Sequence, residues 1–193
     1  MARLAIQRAS DTLIAGGVLA YPTEGVYGLG CLPDDAAAVE RILTIKRRGA
    51  DAGLILIAPV FELLEPWLAP SAAELRQLQT QFDYPVTWVV TAIPTAPDWL
   101  TGGRPTLAVR VSKHPVVTAI CEEVGSALVS TSANRRGRPP ALTTLQARKT
   151  LGSEVDLVVP GAVGTARSPS EIRAAKDNRV IRPFAAPANA RIL

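Results

Sequence analysis

The chain has 193 residues, 48% of them hydrophobic, which is enough for one domain with a substantial core. Its 21 Lys and Arg residues exceed its 17 Asp and Glu residues, and the formal net charge of +4 favours anionic partners without distinguishing a nucleotide from RNA. Two distant cysteines, Cys31 and Cys121, argue against a disulfide framework or a CxxC zinc site and indicate a reduced, cytoplasmic protein. The sequence has no run of about 18 apolar residues, so it predicts no membrane span.

Short apolar runs and helix-capping residues alternate along the chain. In order, the pattern predicts a strand at 17–21, a helix capped by Asp34, a strand at 54–58, a helix from the Ser71–Glu74 capping box toward Gln81, strands at 86–91 and 107–111, a helix at 115–124, a strand at 127–129, a short helix after Thr143 and a strand at 155–159. Strands alternating with helices predict a single α/β domain over residues 1–193, with a mixed, partly parallel sheet flanked by helices.

Two polar motifs directly follow predicted strands, at the edge where open α/β sheets bind ligands. The first, at 21–30, reads YPTEGVYGLG and is followed by the cations of Lys46-Arg47-Arg48; the second, at 130–134, reads STSAN. Cations neutralise phosphate, hydroxyls and an amide orient it, and glycines admit it closely, so the motifs predict a nucleoside triphosphate site. The residues alone leave a plainer interpretation open, because cations also stabilise helix C-termini and Ser, Thr and Asn favour turns.

The groups that the chain lacks restrict its chemistry. His114 is the only histidine, and its position before Pro115 favours a capping or surface role. A Ser-His-Asp or Cys-His mechanism therefore has no convincing base, and one histidine with two isolated cysteines predicts no metal site. What remains is catalysis by positioning and charge neutralisation, as in phosphoryl and nucleotidyl transfer.

Taken together, the motifs resemble the YrdC family of threonylcarbamoyl-AMP synthases, in its short, bacterial, single-domain form. The matching tracts run in order through nearly the whole chain: YPTEGVYGLG, Lys46-x-Arg48, 53–57, 85–87, 107–111, STSAN, 168–172 and 181–183. The resemblance implies a twisted sheet with an open concave cleft. It also implies an enzyme that joins L-threonine, bicarbonate and ATP into threonylcarbamoyl-AMP and releases pyrophosphate, with Mg²⁺ accompanying ATP. Partner proteins would then transfer the threonylcarbamoyl group to tRNA, and weak binding of RNA by this chain is compatible with its charge.

The same resemblance implies roles for individual residues. At ATP it implies contacts from Lys46, Arg48, Ser132, Asn134 and Arg182, of which Lys46 and Arg48 are also the predicted catalytic cations. At L-threonine it implies contacts from Thr23, Arg110, Ser130 and Ser170. We further expect neither Lys46 nor Arg48 to belong to the core.

Three positions depart from the family pattern. Gly25 stands where threonine is frequent, Gly49 where proline is common, and Ile57 where longer members have a histidine near threonine. These departures leave the reaction type unchanged and concern the recognition of threonine and the loop around Arg48. Two other functions are weighed against the synthase: an RNA-binding module without catalysis, and a carbamoyl-adenylate-forming domain of the hydrogenase-maturation kind.

Overall fold

A computed structural model describes residues 3–185, so most of the C-terminal tail from Phe184 to Leu193, including any closure of it over the site, lies outside the described residues. In chain order the helices and strands are α1 Arg3–Ile14, β1 Leu19–Pro22, β2 Tyr27–Gly30, α2 Ala36–Lys46, β3 Ile55–Ala58, α3 Ala72–Leu78, β4 Val86–Thr91, α4 Asp98–Thr101, β5 Thr106–Val111, α5 Pro115–Val124, β6 Leu128–Ser132, α6 Thr144–Leu151, β7 Leu157–Val158, β8 Glu171–Ala174 and β9 Val180–Arg182.

One sheet contains the nine strands found within residues 3–185, in the order β7-β1-β2-β6-β3-β5-β4-β8-β9. The pairs β1–β7, β3–β5 and β4–β8 are parallel, whereas β1–β2, β2–β6, β3–β6, β4–β5 and β8–β9 are antiparallel. The predicted α/β fold with a mixed, partly parallel sheet is therefore confirmed. The glycine-rich motif after β1 is more than the exit of a strand, because it turns back as the hairpin β1–β2.

Local capping chemistry explains most of the helix boundaries. Ser71 and Glu74 form the predicted capping box of α3, which ends at Leu78 and not at Gln81. Asp35, the residue after the predicted Asp34, caps α2 by accepting from the Ala38 amide. His114 caps α5 through its Nδ1, which accepts from the Val116 amide at 3.3 Å, so the predicted capping role is confirmed. The alternative surface role is wrong, because His114 is buried.

The two faces of the sheet are covered differently. One face packs α2 and the loops after β3 into the larger apolar cluster, which contains Leu56, Trp88 and Val109. On the other face α1 and α5 pack against each other and against β1 over a smaller cluster, which contains Ile57 and Leu128. The sequence reading did not predict α1. Because these two helices cover only part of their face, the strands beyond them border an open cleft.

Candidate functional site

The cleft contains a cavity of about 460 Å³ in which most of the predicted site residues meet. Those that line it are Thr23, Arg48, Arg110, Ser130, Ser132, Ser170 and Arg182. The strands bring them together by their alternation of faces. In β6, for example, Leu128 packs under the helices, whereas Ser130 and Ser132 lie farther along the same face and line the cavity.

The end of α2 separates two neighbouring cations. Arg47 ends the helix in the left-handed conformation, with φ of 50°, and its amide and that of Arg48 donate to Thr44 and Leu43 carbonyls, each at 3.0 Å. This termination leaves Lys46 inside the protein and turns Arg48 toward the cavity. The expectation that neither residue belongs to the core is therefore wrong for Lys46, which is only 2% exposed.

Lys46 does not line the cavity; it contacts the STSAN turn behind it. Its Nζ donates to the Asn134 carbonyl at 2.8 Å, to Asn134 Oδ1 at 2.6 Å and to the Ser132 carbonyl. Ser132 Oγ donates to the same Asn134 Oδ1 at 2.7 Å. Burial, together with the nearby Arg48 charge, lowers the pKa of Lys46 to about 8. Lys46 and Asn134 are thus placed to hold Ser132 in position, and neither contributes a wall of the cavity.

Arg110 is a buried cation whose hydrogen-bonding capacity is incompletely used. It is 7% exposed, and its Nε has no hydrogen-bond partner among the described residues. The nearest carboxylate oxygen, Glu24 Oε2, lies 3.7 Å from Nη2, which is too long for a hydrogen bond. A guanidinium beside a cavity whose Nε–H is buried and unpaired is suited to bind a carboxylate from a ligand.

Glu24, which was not among the predicted site residues, lies behind Arg110. Its Oε1 accepts from the Ser112 hydroxyl and, at 3.0 Å, from the Lys113 amide. Burial alone would raise the pKa of Glu24, but the Arg110 charge and the Ser112 hydrogen bond outweigh it, so the pKa is lowered. Its place in the YPTEG motif beside Thr23 is the sequence signal that could have identified it.

Ser170, which is predicted to contact threonine, also contacts Arg182, which is predicted to contact ATP. Its hydroxyl is 2.7 Å from that of the fully buried Thr87, a second residue that was not predicted, although it lies in a tract that matches the family. The Ser170 carbonyl accepts from Arg182, at 2.7 Å from Nη2 and 3.2 Å from Nε. Partial desolvation and the charges of Arg110 and Arg48 lower the pKa of Arg182. Arg110 and Arg48 are therefore close enough to Arg182 to repel it.

The structure gives a physical reason for one of the three departures and locates the other two. A Cβ on Gly25 would lie 1.8 Å from the Ser168 carbonyl oxygen, so no side chain fits between this turn and the segment before Ser170. Ile57 is fully buried under α1 and α5 and does not line the cavity. Gly49 precedes a short 3₁₀ turn at Ala50–Ala52.

Within residues 3–185, no group of three or more His, Cys, Asp or Glu side chains is arranged to hold a metal ion. None of the helices in this part of the chain has the length and apolar character needed to cross a membrane.

Sequence comparison matches residues 11–183 to the Sua5/YciO/YrdC family model, which is described as "Telomere recombination". A threonylcarbamoyl-AMP synthase from Nitrosococcus oceani is 48% identical over 178 residues, covering 92% of this chain and 96% of the relative. Among solved structures, P. abyssi Sua5 complexed with L-threonine superposes with a TM-score of 0.85 and 29% identity over 92% of this chain, which spans only 53% of that protein. E. coli YciO superposes with a TM-score of 0.82 and 25% identity, covering 97% of this chain and 92% of that one. The chain therefore belongs to the Sua5/YciO/YrdC family.

Proposed function

We propose that this chain is a threonylcarbamoyl-AMP synthase, a nucleotidyltransferase that forms threonylcarbamoyl-AMP and pyrophosphate from L-threonine, bicarbonate and ATP. The observation that carries the proposal is the cavity itself: it joins Arg110, a buried arginine whose Nε has no hydrogen-bond partner among the described residues, to two further cations, Arg48 and Arg182. Its lining includes hydroxyl residues and, among the described residues, no carboxylate. Such a lining suits two anionic groups, a carboxylate and a polyphosphate, bound side by side.

L-Threonine binds at the end of the cavity that contains Arg110. The guanidinium donates hydrogen bonds to the substrate carboxylate, using capacity such as that of Nε that is unused within the protein. The hydroxyls of Thr23, Ser130 and Ser170 surround this position and orient the amino acid. The buried Thr87 hydroxyl fixes Ser170 from behind.

ATP binds with its phosphates toward Arg48, Arg182 and Ser132. Lys46 and Asn134 act mainly by holding the turn that presents Ser132, since the Lys46 amine is already occupied by that turn. The cations neutralise the charge that develops on the departing pyrophosphate, and this is where nucleotidyl transfer needs the protein most.

The proposed chemistry requires no strong protein base. The threonine ammonium loses a proton to solvent, and its amine condenses with bicarbonate to give a carbamate and water. The carbamate is already anionic, and its oxygen attacks the α-phosphorus of ATP. One oxygen–phosphorus bond forms, the bond between the α-phosphorus and the bridging oxygen breaks, and the electron pair leaves with pyrophosphate. The arrangement is consistent with this step, because the described cavity lining supplies cations and hydroxyls but no histidine.

Mg²⁺ would be carried by the substrate. Protein-bound Mg²⁺ usually requires one or two carboxylates in addition to phosphate oxygens. The described lining of the cavity offers none, so the donor set suits an ion held by the ATP phosphates and water, with at most a hydroxyl such as Ser132 from the protein. When bound, the ion would neutralise phosphate charge.

The product is a reactive mixed anhydride, so we further propose that partner proteins in the cytoplasm take it for threonylcarbamoyl transfer to tRNA. We also propose that residues 1–193 form one domain, which catalyses this step.

The test is pyrophosphate release from ATP and Mg²⁺, with L-threonine and bicarbonate supplied separately and together. The synthase requires release that depends on both. Release without threonine would indicate a different acceptor. Absence of release from folded protein that binds RNA in a salt-dependent and ATP-independent way would favour the RNA-binding module instead.

A further inference from the structure

Arg104 is a fourth arginine that lines the same cavity, and it is not among the residues for which the sequence predicted a role. It lies in the loop between α4 and β5, after two glycines with positive φ, Gly102 and Gly103. Arg104 is an exposed residue. Its side chain is nevertheless held in one position by specific contacts.

Two backbone carbonyls from different segments hold the Arg104 guanidinium. Its Nη2 donates to the Asp51 carbonyl at 2.5 Å, and its Nη1 donates to the Thr101 carbonyl at 3.3 Å. A Cβ at position 53 would lie 2.7 Å from Nη1, so Gly53 leaves the space that the guanidinium occupies. These contacts restrict the side chain without neutralising its charge, and they leave other N–H groups of the fork to bind a ligand.

Several other exposed arginines are fixed by carboxylates. Arg41 pairs with Asp156 at 2.9 Å, and Arg135 pairs with Glu154 at 2.7 Å. Arg104 has no such ion pair within residues 3–185, and in this respect it is like Arg182, which also lines the cavity and is also held by a backbone carbonyl. A cation that is fixed but not neutralised is arranged to meet an anion from outside the protein.

Arg104 stands apart from the other cavity cations. In the lining it contacts Thr101 and lies beside Gly53, whereas the charges that act on Arg182 are those of Arg110 and Arg48. With Arg104 the lining contains four arginines, two more than one carboxylate and one phosphate require. A triphosphate is the substrate component with enough charged groups to meet the additional arginines.

We propose that Arg104 binds the β- or γ-phosphate of ATP, and hence the pyrophosphate that leaves. This assignment rests on the proposed function for the identity of the nucleotide. Arg104 would then contact the polyphosphate of ATP and not the nucleoside. The substitution Arg104→Ala should therefore weaken binding of the leaving pyrophosphate selectively.

The experiment measures Kd by calorimetry for AMP, ATP and inorganic tripolyphosphate with the full chain and with Arg104→Ala. We expect the variant to bind ATP and tripolyphosphate at least about tenfold more weakly, as for the loss of a charge-assisted hydrogen bond, and to bind AMP unchanged. Arg104→Lys keeps the charge but not the fork, so it should recover part of the loss. Arg76→Ala, which removes an exposed arginine of α3 outside the cavity, is the matched control and should change none of the three constants.

Equal weakening of AMP and ATP would overturn the assignment in favour of a nucleoside contact, and unchanged tripolyphosphate binding would overturn it outright. Circular dichroism and thermal melting of each variant ensure that a loss of binding is not a loss of fold. The proposed function is judged separately, by pyrophosphate release from the unmodified chain. If that release fails while Arg104→Ala still weakens tripolyphosphate binding, the polyphosphate assignment stands without the synthase.

Discussion

Replacing Lys46 by methionine should change how the stability of the protein depends on pH. The folded protein keeps the Lys46 amine almost completely out of water and near Arg48, which lowers its pKa from 10.5 to about 8. Below pH 8 the folded state carries the full cost of burying the charged amine. Between pH 8 and 10.5 the unfolded chain binds more protons than the folded one, so this contribution makes the free energy of unfolding rise with pH.

The size of the effect follows from the shift. A difference of 10.5 − 8, about 2.5 pH units, corresponds to about 3 kcal/mol, accumulated at about 1.4 kcal/mol per pH unit above pH 8. Methionine keeps much of the side-chain volume and removes the titration. It also leaves the Ser132 and Asn134 carbonyls without their donor, at a cost of about 1–3 kcal/mol for each that stays buried, but this loss does not depend on pH.

Urea unfolding at pH 7, 8, 9 and 10, followed by the fluorescence of the three tryptophans, measures the effect. The stability advantage of the unmodified chain over Lys46→Met should be roughly constant up to pH 7.5 and should then grow toward pH 10. Comparing the two chains cancels the other groups that titrate at alkaline pH. Lys149→Met, at an exposed position of α6, should show a constant difference. A constant difference for Lys46→Met as well would refute the reasoning, because the amine would then titrate as it does in water.

Two further substitutions test the amino-acid side of the cavity. Arg110→Ala should raise the KM for threonine about 10- to 150-fold, the loss of a charge-assisted contact, and leave the Kd of AMP within about twofold; an unchanged threonine dependence of pyrophosphate release would contradict the role of Arg110. Gly25→Ala places a methyl group against the Ser168 carbonyl, so we expect a loss of about 1–3 kcal/mol in the free energy of unfolding together with a raised KM for threonine. Gly125→Ala, with φ of 65° and no atom near the added methyl, is its control and should lower stability without changing that KM. Equal effects of the two glycine substitutions on the KM for threonine would show that the contact with Ser168 does not shape the site.

The sequence was a good guide to those parts of the fold that depend on local patterns. The apolar run before STSAN predicted β6, and the Ser71–Glu74 spacing predicted the start of α3, because hydrophobic periodicity and capping act over a few residues. It missed α1, because no Ser, Thr, Asp or Asn precedes this segment to mark the start of a helix. It also missed β2, whose glycines obscure the strand pattern. Both are stabilised by contacts with distant segments, α1 with α5 and β2 with β6.

Where the side chain of each cation lies in the fold was difficult to predict from the sequence. A lysine in the last turn of a helix is usually exposed, and nothing near Lys46 in the sequence indicates that residues 132–134 fold over its amine. Likewise, the carbonyl that holds Arg104 belongs to Asp51, far along the chain. The resemblance to the family identified Arg48, Arg110 and Arg182 as site residues, and in the structure all three line one cavity. Their individual roles stay predictions, and of the three only that of Arg110 is tested by a variant above.

The balance of charge around the cavity explains how a carboxylate and a triphosphate could occupy it together. Glu24 is the carboxylate beside Arg110, and its Oε1 is occupied by Ser112 and Lys113, so it offsets only part of the positive charge. Burial first, and then the charges of Arg110 and Arg48, lower the pKa of Arg182, so part of this shift reflects repulsion from the other two cations. Binding a carboxylate at Arg110 relieves part of that repulsion, and binding a triphosphate relieves the rest. The repulsion between the carboxylate and the triphosphate is therefore offset by the attraction of each to the arginines that they share, and an analogue that lacks the anionic group gains nothing comparable.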